Sequence, residues 1–104
     1  MRIKEGILKD NGISLETLEV DLGNTTLLIL EGYKAFAMCG ALNVEVYNSE
    51  KMKSRNVICI RALGVKTLED LYEAKAVEIS EAGINSGLAV GMSVKDCFEA
   101  LSKK

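Results

Sequence analysis

A thiol and a guanidinium group are the side chains in this sequence best suited to chemistry. Cys39 ends an apolar run, and Gly40 and Asn43 follow it just before a helical pattern begins. A helix N-terminus carries partial positive charge, which lowers the pKa of a nearby thiol and attracts anions. Arg61 ends a second apolar run. If the two runs are neighbouring parallel strands, Arg61 emerges beside Cys39, where its guanidinium can bind a carboxylate or phosphate through two hydrogen bonds.

These residues have three interpretations, and the sequence leaves all of them open. The first is a small-molecule or anion-binding module whose ligand contacts Cys39, Gly40, Asn43 and Arg61. The second is a thiol-dependent enzyme or redox sensor that uses Cys39, although no base for such chemistry is evident, so enzymatic activity is undecided. The third is structural, because buried cysteines pack as small hydrophobic residues, Gly40 shapes a turn and Arg61 caps a strand end.

What the sequence lacks excludes several kinds of site. Histidine is absent, which removes Ser-His-Asp and Cys-His catalysis and the imidazole ligands of most metal sites. The three cysteines are widely spaced, unlike the ligands of a zinc site. Neither G-x-G-x-x-G nor G-x-x-x-x-G-K-[ST] occurs, so no nucleotide-binding loop is indicated. We therefore expect neither a metal site nor a cofactor.

The composition predicts a cytoplasmic protein that binds neither nucleic acid nor a membrane. Thirteen basic and fifteen acidic side chains give a net charge of −2 and a pI near 5.2, which is the wrong balance for binding a phosphate backbone. The apolar stretch 27–30 is too short for a bilayer, and the first residues lack the apolar run of a secretory signal. Three cysteines without a close pair fit a reducing compartment.

The first half of the chain has the patterns of antiparallel strands. A short apolar run at 3–9 precedes an Asp-Asn-Gly sequence at 10–12, which is typical of a hairpin turn. Apolar and acidic residues alternate over 18–22, as in a strand with one solvated face. The denser apolar run 26–30 predicts a central strand, and Glu-Gly at 31–32 predicts the turn that ends it.

The second half adds helices and another strand. Apolar residues after Gly40 fit a helix of about three turns, which Asn43 is expected to cap. The run 57–60 returns to a buried strand, so the strand-helix-strand order predicts a right-handed crossover between parallel neighbours. Thr67 and Ser93 are each followed three residues later by Asp, and this pattern predicts the starts of two further helices. The spacing i, i+3, i+4 and i+7 gives the last of them one apolar stripe: Val94, Cys97, Phe98 and Leu101.

Together these elements predict a single α+β domain over residues 1–104. Its sheet is mixed but largely antiparallel, with about five strands, and its helices pack mainly against one face. Residues 77–82 fit a helix ended by Gly83 and Gly87, although residues 76–79 also fit a strand. Helices on one face leave dense apolar runs such as 27–30 exposed on the other, so we expect a homodimer or a higher homo-oligomer. A structural or interaction subunit is thus a candidate function beside a module for a small anionic ligand.

Three stretches of the sequence are distinctive in combination. They are Met38-Cys39-Gly40-Ala41-Leu42-Asn43-Val44, the stretch 61–71, and Gly91-Met92-Ser93. These stretches resemble the YunC family, small bacterial and archaeal domains of unknown function. One typical version of the first stretch in that family has Asp where this chain has Asn43, and Asn keeps the hydrogen bonding but loses the charge. The resemblance implies a single YunC-like α+β domain in a cytosolic protein, with Cys39, Gly40 and Arg61 in its recognisable segments, and it implies no activity.

Overall fold

The computed structural model describes residues 1–104 and contains one six-stranded sheet and five helices. The strands follow the same order along the chain and across the sheet: β1 (Arg2–Asp10), β2 (Ile13–Asp21), β3 (Thr26–Gly32), β4 (Ala35–Met38), β5 (Ile58–Arg61) and β6 (Glu78–Ile79). The helices are α1 (Glu45–Asn48), α2 (Glu50–Lys53), α3 (Leu68–Glu73), α4 (Glu81–Asn85) and α5 (Val94–Ser102). The predicted α+β class with a mixed, largely antiparallel sheet is confirmed, with six strands where about five were expected. No helix is long and apolar enough to cross a bilayer.

The first four strands are antiparallel neighbours joined by short connections. Asn11 and Gly12 have positive φ angles of 49° and 84°, which suits the twist of a two-residue hairpin turn. The second turn lies two residues later than predicted, because β3 continues through Gly32 and the turn is formed by Tyr33 and Lys34, with φ of 53° and 64°. Positive φ is costly for a bulky residue, and a backbone N–H of β2 donates to the Tyr33 hydroxyl at 3.1 Å, which helps to hold the turn.

Residues 39–57, here called the crossover, connect β4 to β5, which are parallel neighbours as predicted. The predicted three-turn helix is wrong, because the crossover contains two four-residue helices separated at Ser49. Ser49 has an extended backbone with ψ of 158°. Its hydroxyl donates to the Val46 carbonyl at 2.7 Å, a local bond that competes with helix continuation. The capping prediction for Asn43 is also wrong, since Val44 is the N-cap and no side chain caps α1.

The segment that fitted either a helix or a strand contains the short strand β6. Glu78 and Ile79 pair with β5, and α4 begins directly after Ser80, whose hydroxyl accepts a hydrogen bond from the Gly83 N–H at 3.4 Å. Gly83, which the sequence suggested as a helix end, lies inside α4. A Cβ at this position would come 2.5 Å from the Ile79 side chain, so glycine permits α4 to pack closely on β6.

The two predicted capping patterns are confirmed. The Thr67 hydroxyl accepts a hydrogen bond from the Asp70 N–H at 3.0 Å and starts α3. The Ser93 hydroxyl accepts one from the Asp96 N–H at 3.0 Å and starts α5. The buried stripe of α5 consists of the four residues expected from the spacing: Val94, Cys97, Phe98 and Leu101.

The two faces of the sheet differ in how they are covered. On the core face, strand residues pack with α3 and α5 into a cluster of 17 buried residues. On the opposite face, here called the open face, Leu42 and Val44 of the crossover bury Cys59 of β5 and pack against Phe36 and Met38 of β4. The open-face residues of β1, β2 and β3 belong to neither cluster. The crossover therefore forms a ridge over one half of the open face and leaves the other half uncovered.

Candidate functional site

Parallel pairing of β4 and β5 brings together the glycine and the arginine that the sequence singled out. Met38 pairs with Arg61 at the C-terminal ends of the two strands. The Arg61 Nε donates to the Gly40 carbonyl at 3.2 Å, and a Cβ at position 40 would lie 3.9 Å from Arg61 Nη2. The guanidinium thus lies against the backbone that follows Cys39. We call Cys39, Gly40, Arg61 and the neighbouring Glu78 the Arg61 corner.

Glu78 neutralises much of the charge at this corner. The Arg61 Nη1 donates to Glu78 Oε1 at 2.8 Å, with 27% and 39% of the two side chains exposed. Two of the three guanidinium nitrogens are therefore already hydrogen-bonded. An incoming anion that binds through two hydrogen bonds must compete with Glu78 for the guanidinium group. The sequence did not identify Glu78 as a partner, because it lies in a two-residue strand whose type was undecided and its pairing depends on β6 lying beside β5.

The helix that was expected to activate Cys39 is not beside it. Gly40 and Ala41 form a turn after Cys39, closed by a hydrogen bond from the Leu42 N–H to the Cys39 carbonyl at 3.2 Å. The first helical residue is Glu45, and α1 has only four residues. A helix dipole acts within its first turn and grows with helix length. The half-buried Cys39 thiol therefore does not lie at a helix N-terminus, and the exposed Asn43 side chain has no capping role.

The other two cysteines are core residues. Cys59 and Cys97 are both fully buried. Burial raises the pKa of Cys97 to about 11, and burial likewise raises the pKa of Cys59, opposed by its hydrogen bond with Ser80. Both thiols stay protonated near neutral pH and are unsuited to nucleophilic chemistry. No three acidic or cysteine side chains are placed to share a metal ion.

A large concave surface lies away from the Arg61 corner, on the uncovered half of the open face. We call this half, formed by β1, β2 and β3, the trough. Leu18 and Ile29 are directly opposite each other on β2 and β3. Ile7 of β1 is diagonal to Leu18, because its direct partner is Glu16, and Ile7 is 66% exposed. The cavity above them has a volume of about 710 Å³ and extends to the edge of the ridge; its lining residues are Glu5, Gly6, Ile7, Glu16, Thr17, Leu18, Ile29, Glu31, Phe36 and Met38.

Acidic side chains lie among the apolar side chains of the trough. Glu5, Glu16 and Glu31 are all exposed, and none of them takes part in an ion pair. Glu16 and Glu31 occupy directly opposite positions on β2 and β3. Like charges in such cross-strand positions destabilise a sheet. The sequence showed the alternation of apolar and acidic residues, but only the strand register shows that the two carboxylates face each other.

The sequence and the fold of this chain are similar to those of known proteins. The model of the family described as Domain of unknown function (DUF1805) matches residues 38–101, more than half of the chain. The chain belongs to the DUF1805 family. A curated relative of this DUF1805 domain, Uncharacterized protein YunC of Bacillus subtilis (strain 168), is 32% identical over 92 residues, which cover 88% of this chain and 90% of the relative.

A solved structure with the same fold extends the similarity to nearly the whole DUF1805 domain. It is the crystal structure of a protein of unknown function, TA1206 from Thermoplasma acidophilum, with a TM-score of 0.82 and 33% identity over 96% of this chain and 93% of that chain. The YunC-like resemblance is confirmed, and each of these three matches is described as uncharacterised or of unknown function. The family match includes Cys39, Gly40, Asn43 and Arg61, whereas the trough strands precede residue 38.

Proposed function

We propose that this DUF1805 domain is an interaction subunit that self-associates through the trough. The observation that carries the proposal is the apolar, uncovered half of its sheet, where Ile3 and Ile7 are 57% and 66% exposed and Leu18 and Ile29 are only half-buried. Burying a side chain of this size stabilises a complex by about 1.5–3 kcal/mol relative to leaving it exposed. Contiguous exposed apolar surface of this kind marks interaction sites.

A second copy of the chain is the partner that fits best. The trough carries uncompensated carboxylates, while the crossover on the same face of the same chain carries the cations Lys51, Lys53 and Arg55. A two-fold symmetric dimer uses the same surface of both copies, so that surface must be complementary to itself. The crossover also carries Glu45 and Glu50, so its cations exceed its carboxylates by one. A mainly acidic half beside a half with an excess of cations meets this requirement.

The test is the oligomeric state of the purified protein, measured by analytical ultracentrifugation at high micromolar concentration. We expect a dimer for the natural sequence and a monomer for Ile7→Lys, because the substitution replaces an exposed apolar side chain of the trough with a charged one. Val90→Lys is the matched control, since Val90 is 59% exposed and lies in the loop between α4 and α5. Thermal melting shows that each variant folds. A monomeric natural protein, or a dimer that Ile7→Lys leaves intact, would refute the proposal.

A second candidate function is the binding of a small anion at the Arg61 corner. Arg61 lies against Gly40, the residue that follows Cys39, and its Nη2 bonds to neither Gly40 nor Glu78. This guanidinium nitrogen is therefore the one available to an anion. A carboxylate or phosphate that displaces Glu78 from Arg61 would gain a bidentate contact. Such a ligand would lie at the C-terminal ends of the parallel strands β4 and β5, where sheets with crossovers commonly bind ligands.

Thermal melting in inorganic phosphate and in succinate tests this second function. We expect both anions to raise the melting temperature, since a ligand that binds only the folded state stabilises it. Arg61→Ala should abolish the increase, Glu78→Gln should enlarge it by removing the competing carboxylate, and Arg2→Ala, at the opposite edge of the sheet, should leave it unchanged. Equal stabilisation of Arg61→Ala and the natural protein would rule out this corner as the binding site.

A further inference from the structure

We infer that the crossover of the second copy is the segment that fills the trough, so that each copy both supplies a ridge and accepts one. This inference rests on the proposed self-association and specifies its geometry. The dimer would be isologous, with a two-fold axis that runs parallel to the strands along the border between β3 and β4. Rotation about this axis places the ridge of each copy above the trough of the other.

The stepped shape of the open face favours this axis over others. The crossover stands over β4 and β5, and β1, β2 and β3 carry no helix on this face. A two-fold axis perpendicular to the strands within the interface plane would bring ridge against ridge and leave the troughs empty. The three trough strands span about 10 Å between their outer axes, which matches the diameter of about 10–12 Å of a helix with its side chains.

The charges on the two surfaces have opposite signs. Residues 50–55 contain one carboxylate and three cations, all exposed. Lys51 and Arg55 have no ion-pair partner within the chain. The adjacent Glu16 and Glu31 of the trough also lack one. A partner cation between these two carboxylates would turn a repulsive cross-strand pair into a bridged one.

The apolar contact and the buried area are also sufficient for a specific dimer. Val46 of α1 is 47% exposed on the ridge, and the trough offers Ile7 and Leu18 as apolar surface. Strands of nine residues give the trough a length of about 30 Å and a footprint of about 300 Å². Because each copy uses its trough and its ridge, the dimer would bury about 1,200 Å² in total, which is within the range of specific interfaces.

Charge reversal provides the test, with dimer dissociation measured by analytical ultracentrifugation. The first variant reverses the trough (Glu16→Lys with Glu31→Lys), the second reverses the ridge (Lys51→Glu with Arg55→Glu), and the third combines all four substitutions. We expect each of the first two to weaken the dimer by about tenfold or more, because like charges then face each other. The combined variant should regain an affinity close to that of the natural protein.

The possible results separate this inference from the proposed function. If Ile7→Lys dissociates the dimer but charge reversal has no effect, or the combined variant is not rescued, the trough is an interface that is filled in another way and the ridge-in-trough geometry is wrong. If the natural protein is monomeric, both are wrong. The salt dependence of the unmodified dimer gives a second readout: dissociation should increase with ionic strength, and a salt-independent dimer would contradict the charge pairing.

Discussion

Ser80 links the end of β6 to the start of β5 through one buried hydroxyl group. Its Oγ accepts a hydrogen bond from the Cys59 N–H at 3.1 Å and donates to the Val57 carbonyl at 2.7 Å. The same oxygen caps α4 by accepting from the Gly83 N–H. Ser80 is fully buried. The hydroxyl therefore continues the strand pairing at the point where β6 gives way to a helix, and it helps to hold the strand that carries Arg61.

Ser80→Ala removes all three hydrogen bonds. Loss of a helix cap costs about 1 kcal/mol, and a buried N–H left without an acceptor, here that of Cys59, costs about 1–3 kcal/mol. We expect the free energy of unfolding to fall by about 2–4 kcal/mol. Ser93→Ala is the matched control, because the Ser93 hydroxyl caps α5 through its bond with Asp96 and has no strand partner; it should cost only about 1 kcal/mol.

Urea denaturation followed by circular dichroism measures both variants at one protein concentration, so that any dimerisation contributes equally. The informative quantity is the difference between Ser80→Ala and Ser93→Ala, since the capping contribution cancels. If this difference is below about 0.5 kcal/mol, the hydroxyl is not what satisfies the backbone at the start of β5, and the reasoning is refuted.

Three further predictions concern packing, pH and thiol reactivity. Gly83→Ala should lower the free energy of unfolding by about 1–3 kcal/mol in urea denaturation despite the helical preference of alanine, because the new Cβ would lie 2.5 Å from Ile79; unchanged stability would contradict the close packing. Burial and the hydrogen bond that the Tyr72 hydroxyl donates to the Asp10 carboxylate raise the pKa of Tyr72 to about 12. The protonated Tyr72 hydroxyl therefore contributes fully to the free energy of unfolding below about pH 10, the ordinary pKa of tyrosine. This contribution is lost as the pH rises from about 10 to 12. When the free energy of unfolding is measured against pH, Tyr72→Phe should lose less stability between pH 10 and 12 than the natural protein. Parallel curves for the two proteins would contradict the raised pKa of Tyr72. Iodoacetamide should label Cys39 in the native protein, while the two buried cysteines react only after unfolding; mass spectrometry that finds all three protected would make Cys39 a core residue and end the thiol-enzyme hypothesis.

Many local features of this fold were predictable from the sequence. The turn at Asn11-Gly12 and the caps at Thr67 and Ser93 depend on residues close together in the chain. The apolar stripe of α5 likewise follows from spacing within one helix. The parallel neighbours β4 and β5 followed from the strand-helix-strand order. That order predicted Arg61 beside Cys39, and in the structure Arg61 bonds to the next residue, Gly40, even though the helix between the strands was predicted wrongly.

The predictions that failed depended on competing local bonds or on glycine packing. Ser49 interrupts the crossover helix by bonding to the preceding turn, an option that helical spacing does not show. Gly83 was interpreted as a helix end, but tight packing against Ile79 explains its place within α4. In both cases the pattern of apolar residues was correctly described, and a neighbouring contact decided what the backbone did.

By itself the sequence determined a single α+β domain without histidine chemistry, two well-capped helices, and a likeness to a family without a known activity. Tertiary structure alone decided the chemical state of the candidate site. Glu78 compensates Arg61 because β6 lies beside β5, although the two residues are 17 positions apart in the chain. The opposed carboxylates of Glu16 and Glu31 likewise arise from strand register. Charge pairing and surface exposure depend on which strands become neighbours, and that is set by the packing of the whole sheet.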